Sequence, residues 1–101
     1  MKVIEPSVKP TIGDDIESKV KEAFDKQWDV IVWNDPINLM TYVVMIFMRI
    51  LAMNKTRATK HMLEVHKNGR SLVARETKER AEMIARQLQD CGLTSTIEQS
   101  P

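Results

Sequence analysis

This sequence predicts an α+β domain of order β-α-α-β-α-β, with one short sheet and three helices packed on one side of it. Three observations carry that expectation. An apolar run, Val30-Ile31-Val32-Trp33, stops sharply at Asp35-Pro36. Three later segments repeat apolar residues at the 3.6-residue helical period. Short strand-like segments follow Gly69 and Gly92, where helices would end.

Residues 1–27 stand apart from the rest. Pro6, Pro10 and Gly13 interrupt regular structure, and Asp14-Asp15 follows. Ile16, Val20, Ala23 and Phe24 then fall at helical spacing, with Glu17 and Lys21 placed as an i,i+4 pair. A single apolar stripe over so short a stretch is marginal in isolation. The segment therefore reads as a flexible N-terminal extension with a nascent helix, and residues 28–101 as the core domain.

Asp29 to Trp33 is a strand with both faces at least partly covered, ended at Asp35-Pro36 because the residue before proline is pushed out of the helical region. Asn38 is the expected N-cap of the first helix, its side-chain oxygen accepting an orphan backbone N–H. Met40, Val43, Val44, Phe47, Ile50 and Leu51 then recur on one face to about Ala52. Asn54 caps a second helix from Lys55 to about Lys67, whose stripe is Ala58, Met62 and Val65 with Leu63 and His66 on its flanks. Gly69 suits its C-terminus, since glycine enters the left-handed region freely. Ser71 to Ala74 is a second strand. Thr77 caps a third helix with Ala81, Ile84, Ala85 and Leu88 on one face, Gly92 ends it, and Leu93 to Glu98 alternates as the last strand.

Composition removes several function classes. Lys plus Arg number 15 and Asp plus Glu 14, a formal charge of +1, without the basic excess that drives phosphate binding in a small nucleic-acid binder. The apolar run Tyr42 to Met48 stops at Arg49, far short of the roughly 20 residues a membrane span needs. Lys2 is followed by no apolar segment of the kind a secretory signal carries. Cys91 is the only cysteine, so neither an intrachain disulfide nor a cysteine zinc site is available. The expectation is a cytoplasmic protein with no cofactor and neither nucleic acid nor membrane as partner.

His61 and His66 are five apart, whereas paired metal ligands on a helix need three or four to share a face, so no metal ligands are assigned. Cys91, His66 and Asp35 could be combined on paper as nucleophile, base and orienter. However, Cys91 sits beside Gly92 at a helix C-terminus, where the dipole disfavours a thiolate. The glycines at 13, 69 and 92 are isolated and build no phosphate-cradling loop. No catalytic residue is assigned. Among the methionines, Met45, Met48, Met53 and Met83 read as core filler. Met40 and Met62 differ, because Met40 follows the Asn34-Asp35 turn and Met62 lies one helical turn before His66.

Taken singly, Asn34 is a turn residue, Asp35 a turn or cap residue, and His66 a dipole partner for its helix. Taken together they set hydrogen-bond acceptors beside thioether chains that adapt to varied apolar shapes. That combination suits a free amino group carrying a large hydrophobic side chain, the N-terminus of a peptide. It points to a binding module. The rival reading is a non-catalytic interaction scaffold without a peptide pocket, which has no reason to place acceptors beside Met40 and Met62.

At these residues the chain resembles the ClpS family, small adaptors that hand N-degron substrates to Clp AAA+ unfoldases. The resemblance runs from about Trp28 to Glu98. It rests on Val32-Trp33-Asn34-Asp35-Pro36-Ile37-Asn38-Leu39-Met40, on Ala58-Thr59 with Met62-Leu63-Glu64-Val65-His66 and Gly69, and on Thr77 with Glu79, Ala81 and Glu82. It implies a three-stranded antiparallel sheet with three helices, and a monomer. By position it implies that Asn34, Asp35 and His66 bind the substrate α-amino group. The side-chain pocket would be lined by Asn38, Met40, Val43, Met62, Val65 and Ile97. Glu79 and Glu82 would face the N-terminal domain of a ClpA- or ClpC-type unfoldase, and residues 1–27 would help transfer the substrate. Family members commonly carry an acidic residue where this chain has Pro36 and a threonine where it has Asn38. Ile84 stands where a lysine is common. Pro36 with the preceding tryptophan is similar to actinobacterial-type members.

Overall fold

The computed structural model describes residues 26–101. The nascent helix expected around Ile16 to Phe24 lies outside the described residues. Six elements follow in order: β1 (Trp28–Trp33), α1 (Met40–Ile50), α2 (Lys55–Asn68), β2 (Arg70–Glu76), α3 (Lys78–Asp90) and β3 (Thr94–Gln99). The fold is the α+β arrangement expected, with an antiparallel sheet of order β2-β1-β3.

The central position of β1 explains its apolar run, since it is paired on both edges and covered on both faces. Val30 and Val32 join the core beneath the helices. Asp29 and Ile31 alternate to the opposite face. There Asp29 accepts a 2.7 Å bond from Arg75 Nε and one from the Ser100 hydroxyl, while Ile31 sits opposite Leu72. The register against β2 slips between Val30 and Ile31, pairing them with Ala74 and Leu72 and leaving Val73 as the extra residue of a bulge. Val73 itself packs into the core.

Local signals set most helix ends. The Asn54 side chain accepts from Arg57 N at 2.8 Å, and Thr77 Oγ1 receives Arg80 N at 3.5 Å. Gly69 closes α2 at φ 90° with its N–H on the Val65 carbonyl. The stripes of α2 and α3 are buried as expected: Ala58, Met62 and Val65 on one, Ala81, Ile84, Ala85 and Leu88 on the other.

Helix α1 departs from expectation in three ways. Its N-cap is Leu39 with no side-chain cap bond, because the Asn38 amide is used elsewhere. It ends at Ile50, and Ala52 turns into the left-handed region at φ 55°. Its buried set is Val43, Ile46 and Phe47, an i, i+3, i+4 triplet, which turns Met45 and Met48 outward. Those two and Met83 are exposed surface residues and not core filler; Met53 alone of the four is buried. Among the described residues no helix is long and apolar enough to cross a membrane.

Candidate functional site

The loop between β1 and α1 is pinned at both ends. The Asn34 N–H donates to the Gly69 carbonyl at 2.9 Å, tying the loop to the end of α2 where His66 sits. Four residues on, Asn38 Nδ2 donates to the Gly92 carbonyl at 3.0 Å, tying it to the end of α3. Between these anchors Asp35 to Asn38 form a β-turn, with Asn38 N–H donating to the Asp35 carbonyl at 3.2 Å. Asp35 Oδ1 accepts from the Ile37 N–H at 3.0 Å. Pro36 occupies the second position of this turn, where a fixed φ near −65° is favoured. The proline therefore preorganises the turn that presents Asn34 and Asp35. One carboxylate oxygen of Asp35 holds the turn, and the other makes no bond within the described residues.

A cavity opens between this loop and α2. Its lining comprises Asn34, Asp35, Asn38, Met40, Val43, Met62, Val65 and His66, with Val32, Trp33 and Leu93. All three polar residues proposed for amine binding thus border the same space as the two singled-out methionines. The cavity volume is about 30 Å³. A single water needs roughly 10–15 Å³ of such space, so a bulky side chain enters only if lining groups rotate. Met40, 45% exposed, is free to do so, whereas Met62 is packed at 8%.

One residue expected in the side-chain pocket lies elsewhere. Ile97 does not line this cavity; it borders a separate groove with Glu82, Ala85, Arg86, Gln89 and Thr96. The register gives the reason. Trp33, next to Asn34, faces Thr94, whereas Ile97 faces Val30, three residues deeper along the sheet, about 10 Å at the strand rise. Leu93 takes the place meant for Ile97. The pairing of β1 with the last strand is the signal that would have found it, since Leu93 precedes Thr94 at the Asn34 end. Glu79 and Glu82 are exposed on the first turns of α3, away from the cavity.

The rest of the chemistry is structural. Cys91 is not part of the cavity that holds Asp35 and His66. His61 Nδ1 lies 2.8 Å from Ser71 Oγ, which donates to Glu64 Oε1 at 2.5 Å. The grouping has the members of a nucleophilic triad in the wrong polarity. With the hydroxyl proton directed at Glu64, His61 donates to Ser71 and cannot accept from it. Burial holds the His61 imidazole below the usual histidine value, with Glu64 opposing and Arg57 and Lys60 reinforcing the shift.

What the fold and this site define is an α+β module in which a cavity sets polar side chains beside thioethers. Residues 23–96 match the family described as ATP-dependent Clp protease adaptor protein ClpS. The chain belongs to the ClpS family. It is 38% identical over 93 residues to the ATP-dependent Clp protease adapter protein ClpS of Rhodococcus opacus, covering 92% of this chain and 81% of that protein. It is 37% identical over 99 residues to the namesake from Mycobacterium marinum, covering 98% of each. Among solved structures, Agrobacterium tumefaciens ClpS2 bound to L-phenylalaninamide superposes with a TM-score of 0.72 at 22% identity, covering 74% of this chain and 98% of that one.

Proposed function

We propose that this protein is a non-catalytic adaptor that binds the free N-terminal residue of N-degron substrates, of the bulky hydrophobic kind (Leu, Phe, Tyr, Trp), and delivers them to a Clp AAA+ unfoldase. The observation that carries the reading is the shared cavity of Asn34, Asp35, His66, Met40 and Met62. An α-amino group is mostly protonated at neutral pH and presents three N–H donors. Asn34 Oδ1, the second Asp35 carboxylate oxygen and a His66 ring nitrogen offer three acceptors. Each charge-assisted bond of this type is worth roughly 1.5–3 kcal/mol, and burying a Leu or Phe side chain adds about 1.5–3 kcal/mol. After association costs, an affinity near −8 to −9 kcal/mol, micromolar or somewhat tighter, is the expected order. The ligand of the Agrobacterium ClpS2 structure, L-phenylalaninamide, pairs a free amine with an aromatic side chain, the chemistry this reading calls for.

For delivery, Glu79 and Glu82 on the exposed start of α3 are the surface offered to the N-terminal domain of a ClpA- or ClpC-type unfoldase. Residues 1–27 act in transfer, and the protein works as a cytoplasmic monomer. His66→Ala tests the peptide site: it should abolish peptide binding while leaving the melting temperature unchanged. Retained binding would return the protein to the scaffold reading. A chain beginning near Trp28 should bind peptide yet fail to promote its degradation, and degradation at the full-length rate would contradict the transfer role.

A further inference from the structure

Leu93 forms one wall of the cavity and directly follows the turn that ends α3. The backbone N–H groups of that turn are satisfied internally: Gly92 N donates to Gln89 O at 2.9 Å and Leu93 N to Leu88 O at 3.1 Å. The carbonyls of Cys91 and Gly92 are held from outside, by two side chains four residues apart at the entrance to α1. Tyr42 donates its hydroxyl to Cys91 O at 2.5 Å, and Asn38 donates Nδ2 to Gly92 O at 3.0 Å. Gly92 has a φ of 91°, and glycine resists distortion less than any other residue. The two bonds therefore restrain the position of the Cys91-Gly92 link from the α1 side, beside the packing of Cys91 and Leu93 against the core.

We infer that Asn38 and Tyr42 form a clamp on the Cys91–Gly92 turn that fixes the Leu93 wall and thereby sets the cavity's upper size limit, favouring Leu over Trp. Both are positioning residues in this role, and the inference rests on the peptide-binding reading above. The reach matters. An asparagine nitrogen extends two bonds beyond Cβ, whereas a threonine hydroxyl sits on Cβ itself and stops short of the Gly92 carbonyl. A threonine at position 38 leaves the turn held by Tyr42 alone. With both bonds gone the turn relaxes outward and Leu93 retreats with it.

The test uses the full chain with labelled peptides that differ only in a first residue of Leu, Phe or Trp. Wild type, Asn38→Thr, Asn38→Asp, Tyr42→Phe and the Asn38→Thr/Tyr42→Phe double variant are compared by fluorescence anisotropy. The Trp-to-Leu affinity ratio should rise by about tenfold in the double variant, the scale on which one methylene of pocket space discriminates. Asn38→Asp, which keeps the shape but loses the donor, should shift the ratio as Asn38→Thr does. Amide hydrogen exchange at Cys91 to Leu93, read without ligand, should quicken in the same variants. Equal weakening of all three peptides with the ratio unchanged would overturn the clamp, as would unaltered exchange in the double variant. Failure of wild type to bind any of the peptides would instead overturn the peptide-binding reading, and the exchange data would still judge the clamp.

Discussion

Replacing Asp35 by asparagine separates the two jobs of this carboxylate. In the structure Oδ1 accepts the Ile37 N–H at 3.0 Å, and the backbone carbonyl closes the turn with Asn38. An asparagine keeps a carbonyl oxygen for the Ile37 N–H, so the turn, the Pro36 geometry and the Gly69 and Gly92 anchors survive. The second oxygen becomes an NH₂ group, a donor facing an ammonium. The ligand loses one charge-assisted acceptor, roughly 1.5–3 kcal/mol, which converts to a rise in Kd of about 10- to 150-fold. The assay is anisotropy of a labelled peptide with a free N-terminal Phe, beside a thermal melt of each protein. The expected pattern is an unchanged melt and a Kd at least about tenfold higher. An affinity within about twofold of wild type, well under 1 kcal/mol, would refute the assigned role and leave Asp35 a turn residue only.

Other expectations can be checked on the same material. Leu93→Ala should weaken peptide binding and lower stability together, since the side chain is buried and lines the cavity. Ile97→Ala should leave the peptide Kd unchanged, at a stability cost below about 2 kcal/mol; a large binding loss there would contradict the observed register. The Arg75 bond to Asp29 holds its carboxyl below the usual 3.8. Its stabilising contribution is therefore present above pH 3.8 and lost as pH falls through the lower folded value. Asp29→Asn should lower the melting temperature at neutral pH and flatten the acid limb of the stability curve. Burial depresses the His61 value, so its neutral form contributes fully above 6.5 and stability declines as pH drops below that. His61→Gln should remove that component, and an identical pH profile in the variant would dismiss it.

Much of the fold could be read from local chemistry. Asn54, Thr77 and Gly69 act within one turn of their own positions, so sequence alone shows what they do. The buried faces of α2 and α3 follow from spacing because each helix presents a single stripe to the sheet. Asn38 resisted the same reasoning. Its local role as a cap competes with a partner 54 residues away, and nothing near it in sequence announces the Gly92 carbonyl. Met45 and Met48 look like core residues by composition, yet Ile46 takes the inward position between Val43 and Phe47. At the site, residues contributed by the first turn and by α2 were legible, since each lies within a continuous motif. The third wall was not, because choosing Leu93 over Ile97 requires knowing which residue of β3 faces Trp33.

The most direct trial of the account is an anisotropy series with four peptides identical after their first residue: free Leu, free Phe, free Val and N-acetylated Leu. Acetylation removes the charge and leaves the acceptors unpaired, and a β-branched side chain cannot rotate clear of the pocket entrance. The account predicts binding of the Leu and Phe peptides at micromolar or lower concentration, with the Val and acetylated peptides rejected. Equal binding of all four, or of none, would contradict it.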